Sequence, residues 1–270
     1  MPELSEINYS RDACIAAVRD YYRFLTKLYL KESDVIEPPE GGWPSITPDV
    51  LREMGKTDEV ISLLRHLPYI RGGVANPAQG APWSEFADWQ SDCRYISLGR
   101  ENANDLKSLS EGVAFSDDVP ATVIGLTNGG LDRPIFLLDT EHGIVHWPEC
   151  PFEIRAYPTR EKVKDDPEDY APENEVEWRA DSPAWAIADF FEMLKDQFRD
   201  LHYVPISELF VIDEYSILRP GSDGMLAMLQ DIYRKHGWPD LEGYRKKECL
   251  QAVQTALKER YPSFASPLDD

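Results

Sequence analysis

The residues with the best-defined chemical spacing are two carboxylates. Asp189 and Glu192 stand three apart in Ala188-Asp189-Phe190-Phe191-Glu192, and on a helix that spacing places both on one face. The face borders the aromatic pair. Carboxylates beside aromatic surface can hold a guanidinium by bidentate hydrogen bonds, or shift one pKa upward for acid–base work. The plainer alternative is the polar edge of an amphipathic helix. His202 follows that helix and could act as a general base, although no paired nucleophile accompanies it.

Other constellations carry less. Asp165-Asp166-Pro167-Glu168-Asp169 spells DDxxD, the letters by which terpene synthases hold magnesium. That chemistry needs its carboxylates on one helical face, and Pro167 interrupts them. The partner pattern begun by Asn104, Asp105 and Ser108 reaches Gly112 at its last position and lies on the wrong side along the chain. Glu141, His142, His146 and Glu149 include metal-ligand types, but His142 falls in a turn and His146 in a strand, so nothing in the spacing brings both rings to one ion. The four cysteines, Cys14, Cys93, Cys150 and Cys249, show no C-x-x-C spacing and read as small buried apolar residues. Gly129-Gly130 is not followed by a phosphate-loop or dinucleotide pattern. No metal and no cofactor is expected.

With 270 residues, 42% hydrophobic and 29% charged, the chain can bury a sizeable core. It has neither a basic leader followed by an apolar run nor an apolar stretch of roughly 18 residues, so the expectation is a cytoplasmic protein with no membrane partner. The net charge of −21 argues against general affinity for nucleic acid or anionic membrane and suits a cationic ligand. The exception is local: Arg234, Lys235, Arg245, Lys246, Lys247, Lys258 and Arg260 outnumber the acids between positions 234 and 260.

These side chains must be positioned by something, and the organising stretch is Pro134 to Trp147. It reads as a strand at Ile135–Leu138, a turn at Thr140–Gly143 and a second strand at Ile144–Trp147, with Gly143 able to take positive φ. Ala121–Leu126 is a third strand candidate, ending at Asn128-Gly129-Gly130. Helical spacing and capping residues predict helices over Ser10–Leu30, from Thr47-Pro48 to Gly55 and over Asp58–His66, while the polar stretch Asn102–Gly112 reads as a short helix or a turn. Further helices are expected from Ser182-Pro183 to about Leu201, from Ser222 to His236 and from Asp240 to about Arg260. Cys93–Leu98 and Leu209–Ile212 read as strands. The stretch 161–181, acidic and broken by Pro167 and Pro172, reads as a solvated surface loop, with an acidic gate for a cationic substrate as the sharper alternative. The expected architecture is a single α+β domain over 1–270, with a small antiparallel sheet built on a central hairpin and packed by N-terminal and C-terminal helices.

Several blocks together resemble a known group. They are Gly41-Gly42-Trp43-Pro44-Ser45-Ile46-Thr47-Pro48, Gly55-Lys56-Thr57-Asp58-Glu59-Val60, Leu63 to Tyr69, Phe136 to Thr140, Asp189 to Glu192 and His236-Gly237-Trp238-Pro239. The chain is similar to fungal arginine-containing cyclodipeptide synthases, which take arginine and a second amino acid from charged tRNAs. Their DDxxE motif is matched here with Ala188 in place of the first Asp. The resemblance implies an aminoacyl-tRNA-dependent transferase of secondary metabolism whose partners are arginyl-tRNA and a second aminoacyl-tRNA. It makes Asp189, Glu192 and His202 the catalytic candidates and Asp165, Asp166, Asp139 and Trp185 the substrate-binding ones. Arg234, Lys235, Arg245, Lys246 and Lys247 would take tRNA phosphates. The Trp-Pro loop and central hairpin also resemble, over a shorter span, the Smi1/Knr4-type interaction domain, which implies a non-enzymatic protein-binding role.

Overall fold

The computed structural model of the protein describes residues 1–72, 77–128, 133–216 and 220–265. In its first half the helices are α1 (Arg11–Leu28), α2 (Pro48–Glu53), α3 (Asp58–His66), α4 (Trp89–Ser97) and α5 (Ala103–Glu111). Then come α6 (Phe152–Ala156), α7 (Pro167–Tyr170), α8 (Glu173–Asp181), α9 (Ile187–Arg199), α10 (Met225–Lys235) and α11 (Lys246–Arg260). The strands β1 (Val35–Ile36) and β2 (Tyr69–Ile70) pair, as do β3 (Gln79–Ala81) and β4 (Ser84–Glu85). The main sheet is antiparallel in the order β5 (Val123–Gly125), β6 (Leu137–Asp139), β7 (Ile144–His146) and β8 (Ala184–Ala186). A last hairpin joins β9 (Tyr203–Pro205) to β10 (Val211–Asp213). This is the α+β arrangement that the sequence predicts, with helices from both ends around a small antiparallel sheet.

The expected hairpin is the middle of that sheet. Leu138 pairs with Ile124 on one side and Val145 on the other, and Val145 pairs in turn with Trp185. Gly143 has φ +71° at the turn, and a Cβ there would lie 3.0 Å from the Tyr9 backbone nitrogen. The alternating strand positions face two apolar clusters. The larger runs from Cys14 to Leu257 and holds α1 against α9 through Tyr21 and Phe191, whose ring centres are 5.4 Å apart. The smaller gathers Val119, Val123, Leu137 and Trp178. Gly125 marks the closest approach of sheet and helix, because a Cβ on it would sit 2.0 Å from the Ser110 carbonyl oxygen of α5. The Gly125→Ala variant is expected to lose about 2–3 kcal/mol by overpacking against backbone that has no rotamer to yield, read as a lowered denaturation midpoint at unchanged slope.

Four local expectations are corrected. Residues 93–98, expected as strand, belong to α4: Asp88 caps it by accepting from the Ser91 amide at 3.2 Å, and Trp89 and Cys93 bury one face at helical spacing. Ser182-Pro183 does not open a helix. Residues 184–186 instead pair with β7, and α9 starts at Ile187. The acidic stretch 161–181 is not simply loop, since Pro167 begins α7 and Pro172 immediately precedes α8 rather than breaking a helix, and Trp178 and Arg179 are buried. Finally, α10 and α11 begin later than Ser222 and Asp240, at Met225 and Lys246. Gly129, Gly130 and the last five tail residues lie outside the described residues.

Candidate functional site

The helix that carries the expected carboxylates exists, but Glu192 is already engaged by the chain's own cations. Glu192 contacts Lys195, and its Oε2 accepts from Arg199 Nη1 at 3.2 Å. Asp196, one turn on, accepts from Arg160 Nε at 2.9 Å and from Arg199 Nη1 at 2.7 Å. Glu192 and Asp196 therefore hold guanidinium groups of the same chain. Asp189 is half-buried at the start of α9, while His202 follows its C-terminus. At 1.5 Å per residue the helix alone separates them by roughly 15 Å, so the three catalytic candidates do not converge.

The other candidates also disperse. Asp165 accepts from the Leu4 amide at 2.8 Å, and Asp166 caps α7. Trp185 is fully buried in β8, and its Nε1 donates to the Arg160 carbonyl at 3.2 Å. Lys246 is half-buried and donates to the carbonyls of Thr26 and Leu30 at 2.8 and 2.6 Å, so it ties α11 to α1 rather than facing RNA. Arg234, Lys235, Arg245 and Lys247 are exposed, Arg234 and Arg245 paired with Asp231 and Glu248.

Asp139 is no surface ligand. It is fully buried at the end of β6, where Oδ2 accepts from Arg179 Nη1 and His142 Nδ1, each at 2.9 Å, and Oδ1 accepts from the amides of Glu141 and His142. Arg179 also donates to His146 Nε2 at 2.9 Å and to Glu175 Oε2 at 2.8 Å. Burial pushes the Asp139 carboxyl up, but the His142 hydrogen bond and the Arg179 guanidinium outweigh it and hold the group below the carboxylate range. Burial, aided by Arg179, pushes His146 down to about 3, so it stands neutral as an acceptor. The cluster fastens α8 to the sheet. Among the described residues no group of three or more His, Cys, Asp or Glu side chains is arranged to hold a metal ion.

What the sequence did not point to is a trough beside this cluster. It consists of three adjoining hollows of about 400, 100 and 320 Å³. Glu149 lines all three and holds φ +55°, a left-handed conformation rare outside glycine. The largest hollow is where three hairpins meet: Trp83 from the β3–β4 turn, Trp147 after β7, Tyr203 of β9, and Asp213 and Tyr215 at the end of β10. Trp83 is 44% exposed and also left-handed, at φ +58°; its Nε1 donates to Asp213 Oδ2 at 3.0 Å. At the far end α8 presents Glu177, Trp178 and Asp181. Among the described residues the buried indole N–H groups of Trp147 and Trp178, one at each end, have no hydrogen-bond partner. Arg133 is the one cation among the described lining residues, and it is paired with Glu85 at 2.5 Å. His202 stands behind Tyr215, with ring centres 5.9 Å apart, and its Nδ1 lies 2.5 Å from Glu214 Oε1.

Aromatic faces, carboxylates and unanswered N–H donors suit a ligand carrying both a cation and carbonyl or carboxylate oxygens. Only the acidic-gate alternative for 161–181 foreshadowed any part of this, through Glu177 and Asp181. Trp147 and Glu149 were visible as residues but not as neighbours of Asp213. No family model, curated protein or solved structure matches the chain. Among the described residues no helix is long and apolar enough to cross a membrane.

Proposed function

We propose that the chain joins arginine and a second amino acid, delivered on their tRNAs, into a cyclic dipeptide, with the arginine side chain held in the trough rather than on α9. The observation that carries this reading is the meeting of Trp83, Tyr215 and Glu149 around a hollow of about 400 Å³. Aromatic faces attract a guanidinium through their quadrupole, and a neighbouring carboxylate completes its recognition. The resemblance supplies the reaction. Two ester bonds to tRNA break, two amide bonds form, and each tRNA leaves with its hydroxyl restored. Esters are already activated, so the attacking amine needs only to shed its proton. Of the expected catalytic residues, His202 is the one beside the trough, next to Tyr215 and with Glu214 close to its ring.

The test is incubation of purified protein with charged total tRNA, with product followed by mass spectrometry. Arginine-containing diketopiperazines are expected. His202→Asn should lower their yield at least about a hundredfold, the lower end of a general-base contribution, and Glu149→Gln at least about tenfold, the lower end of a charge-assisted hydrogen bond, while Asp189→Asn leaves it unchanged. No product from the wild-type chain overturns the reading. A second reading, a non-enzymatic protein-interaction domain, is favoured by Phe152 and Tyr157, which flank α6 at 70% and 78% exposure. A stable co-purifying protein released by Phe152→Ser, together with absence of product, selects it.

A further inference from the structure

We propose that the cleft between α1 and α9 is a binding site for a phosphate group, separate from the trough. On a chain of net charge −21, cations that lack partners stand out. Arg19, Arg23 and Lys27 occur at four-residue intervals on α1, which aligns them along one face with neighbours about 5–6 Å apart. They line a cleft of about 740 Å³ together with Lys195 and Arg199 of α9.

The acids of the cleft are mostly spent. Glu37 holds Arg19 at 3.0 Å, and Asp20 contacts Lys195. Glu192 and Asp196 hold Arg199, whose guanidinium also lies 5.5 Å from the Phe24 ring centre. Arg23 and Lys27 have no side-chain partner among the described residues, and Glu32 is the remaining carboxylate. Two free cations against one carboxylate, with three further cations behind them, favour a compact dianion. An arginine fork beside a lysine point charge is the pairing that phosphate oxygens accept best. The net charge of −21 disfavours long polyanions unless one phosphate enters the cleft.

The site also has an approach. Leu241 lines the cleft, Tyr244 Oη donates to the Leu28 carbonyl at 3.1 Å, and Lys246 binds the carbonyls of Thr26 and Leu30. These contacts set the exposed Arg245 and Lys247 near the C-terminal end of α1. A phosphate on an RNA strand could therefore be met on the way in, and a free phosphate compound would need the cleft alone.

Titration calorimetry with inorganic pyrophosphate, and filter binding with deacylated total tRNA, separate the two sources. Both use the full chain, the Arg23→Gln/Lys27→Gln variant and the Arg245→Gln/Lys247→Gln variant. Binding of either probe that weakens at least tenfold in Arg23→Gln/Lys27→Gln is the expected result. If tRNA alone is affected, with a salt slope reduced by about 1–2, the phosphate belongs to RNA; if pyrophosphate is affected, it is a small phosphate compound. Affinity for both probes unchanged by Arg23→Gln/Lys27→Gln, or no binding of either by the wild-type chain, overturns the proposal. Circular dichroism melting checks that these exposed substitutions leave the fold intact. Loss of dipeptide synthesis alone bears only on the trough.

Discussion

Replacing Arg179 with methionine is expected to lower stability by about 3–5 kcal/mol, because it strands a buried carboxylate rather than deleting a surface pair. In a chain of this size the fall in Tm would be roughly 10 °C, at about 2–4 °C per kcal/mol. Arg179 is 3% exposed and bonds Asp139, Glu175 and His146 at once. Losing it leaves Asp139 with His142 as its remaining side-chain partner.

The loss should also depend on pH. His146 in the intact protein is depressed by burial and by Arg179, so it contributes stability above its unfolded pKa of about 6.5 that is lost as pH falls toward the folded value of about 3. Without Arg179 its pKa rises relative to wild type, and at pH 5 a protonated imidazole can replace part of the missing charge. The gap in Tm between wild type and Arg179→Met is therefore expected to be wider at pH 8 than at pH 5. Equal gaps would discard this account. Adding Asp139→Asn should recover part of the loss, since the stranded charge goes with it.

Lys56→Met should be the second large effect, about 3 kcal/mol at pH 8. Lys56 Nζ lies 2.6 Å from Glu111 Oε1 with both side chains fully buried, and it donates to the Val123 carbonyl at 2.8 Å. One ion pair thus joins the α2–α3 turn, α5 and β5. Burial drives both partners toward their neutral forms, pushing Glu111 up to about 7 and Lys56 down. An acid with a raised folded pKa costs stability as pH climbs from its unfolded value, about 4.3, to the folded one. Removing Lys56 moves the upper limit higher, so the cost of the substitution should grow between pH 6 and pH 8. Lys56→Met/Glu111→Gln should sit above the single variant at pH 8. Chemical denaturation at the two pH values reads both outcomes, and a double variant no more stable than the single one would count against the stranded-charge explanation.

The framework was legible in the sequence wherever one local rule governed. Ser10 and Thr57 cap α1 and α3 because their hydroxyls answer amides three residues on, and the apolar spacing behind each cap selects the buried face. The β6–β7 hairpin follows from β-branched and aromatic flanks around Gly143. Errors arose where two local readings competed. Pro167 and Pro172 serve equally as breakers and as residues at a helix start, and burial of Trp178 and Arg179 decided for helix. Ala184–Ala186 has helical company in sequence, yet strand pairing with β7 offered its amides a better use.

By itself, then, the sequence determined the α+β class, the central hairpin, most helix faces and the excess of 49 acidic over 28 basic residues. Only the tertiary structure decided which charges are free. Glu192 and Asp139 look available in the chain, but in the fold each faces an arginine of the same molecule, at 3.2 and 2.9 Å. Arg23 and Lys27 are left without side-chain partners among the described residues. Trp83, Trp147, Glu149 and Tyr215 are distant along the chain and meet because three hairpins end at one place. Charge pairing and cavity formation are long-range properties, fixed by packing rather than by any spacing that a linear reading can measure.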